Sequence, residues 1–307
     1  MSETNRKLRN ERALASVIAE NLADRSEENY LTMVIRRFSK HKMAVIGMLI
    51  VLFLAICAIL AQVISPYDPY QISDNFSAAP SAQHLLGTDQ VGRDVLSRLI
   101  YGARVSLTVG LGTVAISVII GTVLGLVSGY LGGKTDMIIM RITDMFMSFP
   151  DIVIILVVVS IMGPGLKNII IVIGLLRWPG VTRLVRGNVL SIKKMDYVKS
   201  AVALGLKTPR ILFIHILPIT LAPVLVNATS GMASAIITEA SLSFLGMGVQ
   251  PPMSSWGNMI TDAQSISVLT SQPWLWLPPG TLIVLCVLSI NFIGDGLRDA
   301  LDPKNLK

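Results

Sequence analysis

Apolar residues in this chain gather in long runs rather than in short alternations. Residues 43–64 contain no charged side chain, and residues 105–133 contain none either. At a helical rise of about 1.5 Å per residue, each run is long enough to cross a hydrocarbon core of roughly 30 Å. Less continuous runs follow. Residues 152–162 extend a helix predicted to begin before Met140, and residues 168–181 carry Arg177 within a helix that can continue to Leu190. Residues 216–237 include Pro218 and Pro223, and residues 278–293 form the last run. The pattern predicts an all-α integral membrane protein with six transmembrane helices.

Composition agrees: 52% of the 307 residues are hydrophobic and 15% are charged, far from the balance of a soluble domain. Cytoplasmic segments of membrane proteins carry the excess of Lys and Arg. With the N-terminus inside, 21 of the 26 basic residues fall on inner segments and four on outer ones, with Arg177 in a span. Both termini are therefore expected in the cytoplasm. The net charge of +7 follows from this topology and implies no nucleic-acid partner. Basic residues 36–42 suit a tail end held at an anionic lipid surface.

Enzymatic signatures are missing. "SGYLGGKT" at 128–135 approaches a phosphate-binding loop, but its first position is Ser128 and it joins two membrane helices instead of a strand and a helix. His41, His84 and His215 lie on separate segments without ligand spacing, and Cys57 and Cys286 fall inside predicted spans. No metal site, cofactor or catalytic constellation is expected in the chain. Energy for uphill transport must come from a partner or an ion gradient.

Gly121, Gly125 and Gly129 recur every four residues, which lines them along one helix face and suits close packing inside the chain or against a partner. The interleaved charges of residues 84–107 imply a folded cap. Residues 240–277, with Pro251, Pro252 and Trp256, suit a loop that dips between helices. Glu239 is expected to cap a helix or to join a loop ion pair.

Between the fourth and fifth spans stands "DYVKSAVALGLKTPRILFIHILP" at 196–218. Asp196 is expected to cap a helix over 197–204, and Gly205 to end it in a left-handed turn. Thr208 and Pro209 are expected to open a second short helix. Val198, Ala201 and Val202 give the first helix a small apolar face beside Tyr197, and a piece this short must rest on something.

These residues, from Asp196 through Lys199, Leu204 and Gly205 to His215, resemble the cytoplasmic coupling loop of permease subunits of ABC importers. "HLLGTDQVGRDVLSRLIYGARVSL" (84–107), "MRITDMFMSFP" (140–150), "WPGVTRLVRGNVLSIKK" (178–194), "LSFLGMGVQPPMSSWGNM" (242–259) and "NFIGDGLRDALDP" (291–303) extend the resemblance to the C-type permeases of the dipeptide, oligopeptide and nickel branch.

The resemblance implies the type I importer permease fold, divided as follows: an N-terminal tail (1–42), a first span (43–64), an extracytoplasmic loop (65–104), a five-helix core (105–297) and a C-terminus (298–307). The core would contain a coupling loop at 191–217 and an extracytoplasmic loop at 238–277. It also implies a bacterial inner or plasma membrane, a B-type permease partner, two ATPase subunits that bind ATP and Mg, and a binding protein that delivers peptides, nickel or a metal chelate.

One departure stands out: Lys199 and Ser200 occupy positions where the family has glutamate and alanine, so the matching ATPase is expected to offer an acidic or neutral groove. Arg177 is either a pathway cation facing substrate carboxylates or a structural arginine that snorkels or pairs with Asp144 or Asp151. Asn227 is a second pathway candidate. A gradient-driven carrier is the rival reading, and it would favour internal repeats or a carboxylate deep in a span. The sequence offers neither.

Overall fold

The computed structural model describes residues 30–302. The first 29 residues of the expected tail and the last five of the C-terminus lie outside the described residues. An amphipathic helix α1 (Tyr30–Lys40) leads into α2 (Lys42–Ile59), whose first turn is capped by His41 accepting from the Ala44 amide at 3.1 Å. The apolar run expected over 43–64 breaks at Leu60, and a short α3 (Ala61–Ile64) completes it.

Helix α4 (Val95–Leu131) begins ten residues before the expected start at 105. Asp94 caps it, accepting from the Ser97 amide at 2.8 Å. Its early charges do not stop it because each is satisfied at the cap. Arg98 pairs with buried Asp89, and Arg104 donates to the Ala58 and Ile59 carbonyls, both at 3.0 Å. The next apolar stretch is not one straight helix: α5 (Gly133–Phe146) and α6 (Asp151–Met162) meet at 82°, broken before Pro150. Helix α7 (Leu166–Ile192) follows, with Pro179 inside it.

A short α8 (Asp196–Ala203) and a single turn α9 (Thr208–Arg210) lead through a π-wound turn (Ile211–Ile216) into α10 (Leu217–Phe244). The chain closes through α11 (Trp256–Ile260), a 3-10 turn (Thr261–Gln264), α12 (Ile266–Ser271) and the long α13 (Pro273–Leu301). Five of these segments are long and apolar enough to cross a membrane, and a sixth crossing results if the bent pair counts as one.

Glycines set how closely the helices approach. A Cβ built on Gly121, Gly125 or Gly129 would lie 2.5, 2.6 or 2.8 Å from the Cβ of Val181, Val185 or Val189, which no pair of real side chains allows. The partner of the glycine ladder is thus α7 of the same chain. The register rises together on both helices, so α4 and α7 run in the same direction, and the bent α5–α6 pair has to carry the chain back between them.

Elsewhere the neighbours are antiparallel: Gly47 on Ser289 and Gly296 on Ala44 for α2 and α13, Gly110 on Met232 and Ile236 and Gly231 on Val114 for α4 and α10; Gly294 packs on Thr229 between α13 and α10. Following these directions, the start of α2, the α7–α10 junction and the end of α13 share one end of the bundle. Residues 65–94 and 245–272 share the other.

Candidate functional site

The junction between α7 and α10 is an elbow with a defined underside. Val198 and Ala201 of α8 are buried against Val185, Val189 and Ile192 of α7 and against Ile211 and Ile216. That contact is what an eight-residue helix needs, since it is too short to persist alone in water. The bend after it is a two-bond C-terminal cap: the Gly205 amide donates to the Val202 carbonyl at 3.0 Å and the Leu206 amide to the Ala201 carbonyl at 3.2 Å. Gly205 sits at φ +74°, a conformation costly for any residue with a Cβ.

Four expectations need correction here. Asp196 is the first helical residue and not the cap; Met195 precedes the helix without a side-chain cap, and the Asp196 carboxylate instead accepts from Lys199 Nζ at 3.0 Å. With a lysine three residues on, its carboxylate has a nearer cationic partner than the backbone. Thr208 and Pro209 likewise stand one position further in, behind Lys207, and the Thr208 hydroxyl makes no cap bond. The second piece is not a separate short helix, because the π-wound turn that carries half-buried His215 joins it to α10. Val202, expected on the buried face, is 53% exposed; Tyr197 is 40% and Leu204 80% exposed.

The elbow-side half of α7 is tied down by ion pairs. Arg186 grips Asp136 with two bonds of 2.6 Å, Ser128 donates to the same carboxylate at 2.5 Å, and Arg183 meets Asp144 at 2.5 Å. Asp144 is therefore taken, and Arg177 does not pair with it. Its Nη2 donates to the Thr238 hydroxyl at 2.9 Å, while its Nε is buried without a partner. Arg177 and Asn227 line one cavity of about 350 Å³ between α6, α7 and α10, together with Asp151. A second cavity of about 860 Å³ opens toward the elbow end beside Asn188, Pro218 and Arg298, and it shares Asn227 and Ser230 with the first.

At the far end of α10, Glu239 is fully buried. One of its oxygens accepts from Ser243 at 2.7 Å and from Ser255 at 2.8 Å, so it ties α10 to the following loop and forms neither the helix cap nor the ion pair expected of it. Ser255 comes from a loop that folds back between helices, a contact that sequence spacing does not announce. Trp256 in that loop is buried against α4, with its Nε1 donating to the Leu99 carbonyl at 3.1 Å.

Comparison with known proteins gives this architecture its relatives. Residues 121–307 match the family described as the inner membrane component of binding-protein-dependent transport systems, and residues 29–81 match the N-terminal transmembrane domain of oligopeptide transport permease C. The dipeptide transport system permease protein DppC of Alkalihalophilus pseudofirmus is 44% identical over 270 residues, covering 88% of each chain. The oligopeptide transport system permease protein OppC of Bacillus subtilis is 40% identical over 270 residues, covering 87% of this chain and 88% of that one. Among solved structures, a chain of the MetNI methionine ABC transporter in an inward-facing conformation superposes with a TM-score of 0.55 at 18% identity, covering 67% of this chain and 97% of that one, and so shares the fold. On the extent of these matches, the chain belongs to the family of binding-protein-dependent transport system inner membrane components.

Proposed function

We propose that the chain is a permease subunit of an ATP-driven importer of peptides, forming the translocation pathway with a second, B-type permease. Two ATP-binding subunits would bind ATP and Mg and dock on residues 196–217, and an extracytoplasmic binding protein would deliver the substrate. The elbow is the observation that carries this reading. It is a short helix fixed from beneath by Val198 and Ala201, and it turns Tyr197, Val202 and Leu204 outward beside a glycine bend. Apolar side chains held rigidly in the open suit a protein partner.

The same-direction packing of α4 and α7 supports counting the bent pair as a return crossing, hence six spans. The shared end of the start of α2, the elbow and the end of α13 supports both termini lying in the cytoplasm of a bacterial inner or plasma membrane, in line with the distribution of Lys and Arg. Peptides are favoured over nickel or a metal chelate by the names of the relatives above and by the larger and smaller cavities, whose linings include no His or Cys. The chain itself would be non-catalytic.

Copurification tests the reading. The complex should retain its ATPase subunits through purification, and Gly205→Pro should release them while the permease stays folded in detergent. An ATPase equally well retained by Gly205→Pro, or absent from the native complex, would count against docking at the elbow.

A further inference from the structure

We infer that the cavity between α6, α7 and α10 is a binding site for a zwitterionic ligand, with Arg177 contacting its carboxylate and Asp151 its ammonium group. The inference rests on the peptide-importer reading and deepens it by naming the permease residues that meet the substrate. Helix α7 carries three arginines with different fates. Arg183 and Arg186 are each matched by a carboxylate, Asp144 and Asp136. Arg177 has no ion-pair partner within 4.0 Å among the described residues: it has one bond to the neutral Thr238 hydroxyl and a buried, unpartnered Nε.

Asp151 lines the same cavity, yet no ion pair within 4.0 Å joins it to Arg177 among the described residues. Were charge neutralisation all that was needed, the two would meet as Asp136 and Arg186 do. A cation and an anion left apart on one cavity wall are costly at membrane depth unless water or a ligand completes them.

The guanidinium fork suits a carboxylate and the Asp151 carboxylate suits an ammonium group. A ligand of single charge would leave one wall group unmatched. Asn227, Ser230 and Ser234 add neutral donors and acceptors fitting amide groups, and about 350 Å³ accommodates a small peptide. Through Asn227 and Ser230 the cavity continues into the wider one at the elbow end, which gives a bound ligand a way out.

The test uses the assembled complex and its own binding protein in proteoliposomes, with uptake of a labelled mixture of free tripeptides measured beside ATP hydrolysis stimulated by the binding protein. Arg177→Gln and Asp151→Asn should each lower uptake at least tenfold while stimulated hydrolysis stays within threefold of wild type. Arg177→Lys and Asp151→Glu should restore at least a third of uptake. Wild-type uptake in both neutral variants would overturn the site.

A wild-type complex that takes up none of the tripeptides would instead overturn the peptide reading, before any variant is compared, and this inference with it. For variants that fail to assemble, a second measurement leaves both charges in place. In the Ser234→Cys complex, free tripeptides should slow thiol labelling at least fivefold, and N-acetylated, C-amidated forms should not. Equal protection by both forms, or by neither, overturns the site.

Discussion

At the cap end of the bundle, Asp89, Asp94 and Arg98 are buried, Arg93 is half-buried, and they satisfy one another: Asp89 accepts from the Val91 and Arg93 amides and from both arginines, and His84 meets Asp94 at 2.9 Å. Arg98 also reaches Ser254, joining the two loops of that end at 3.1 Å. At the elbow end the arrangement is reversed. Tyr197, Val202 and Leu204 are open to solvent, and Lys193, Lys194, Lys199, Lys207 and Arg210 crowd the same segment with Asp196 as the one carboxylate between them. One end is completed by its own side chains, and the other keeps apolar and basic side chains in the open, as the proposed docking of an ATP-binding subunit requires. On the proposed function, the contrast separates residues that hold the permease together from residues that would connect it to its ATPases.

Substitutions at the cap should therefore act on stability, and substitutions at the elbow on coupling. The largest loss is expected from Asp89→Ala, which removes the carboxylate facing the buried Arg98 guanidinium; it should cost about 3–5 kcal/mol and lower the melting temperature of the purified complex. Glu239→Ala removes the acceptor of two buried hydroxyls and should cost about 2 kcal/mol, with faster proteolysis of the 245–272 loop as a second readout. Leu204→Asp should change stability by less than about 0.5 kcal/mol, since the side chain touches little, yet it should reduce ATPase copurification at least tenfold. The smallest effect belongs to Lys199→Glu, whose exposed pair with Asp196 is worth about 0.5 kcal/mol. It should lower coupled ATP hydrolysis about twofold, and a rise would sink the acidic or neutral groove expected of the partner.

How legible these features were depended on how far apart their partners lie in sequence. Four-residue spacing was enough to place Gly121, Gly125 and Gly129 on one face, because a helix repeats nearly every four residues, and Gly205 announced its turn because few residues other than glycine adopt it readily. The start of α4 was hidden by Arg98 and Arg104, which read as loop charges until Asp89 and the end of α2 are seen to meet them. Glu239 was misread for the same reason: Ser255 reaches it only after the intervening loop has folded back. Asp196 failed more locally, since a choice between neighbouring cap positions turns on one residue and a lysine three positions on shifts the balance. Arg177 and Asn227 came together in one cavity through the packing of α7 on α10, while Asp151, the third charged or amide group there, was weighed only as a structural partner.

The π-wound turn at Ile211–Ile216 sets the azimuth of the helix above it. Such a turn amounts to one surplus residue in an α-helix, and one residue corresponds to about 100° of rotation. Squeezing that residue out from below would spin the shaft by this angle and swing Asn227 and Ser230 off the wall they now share.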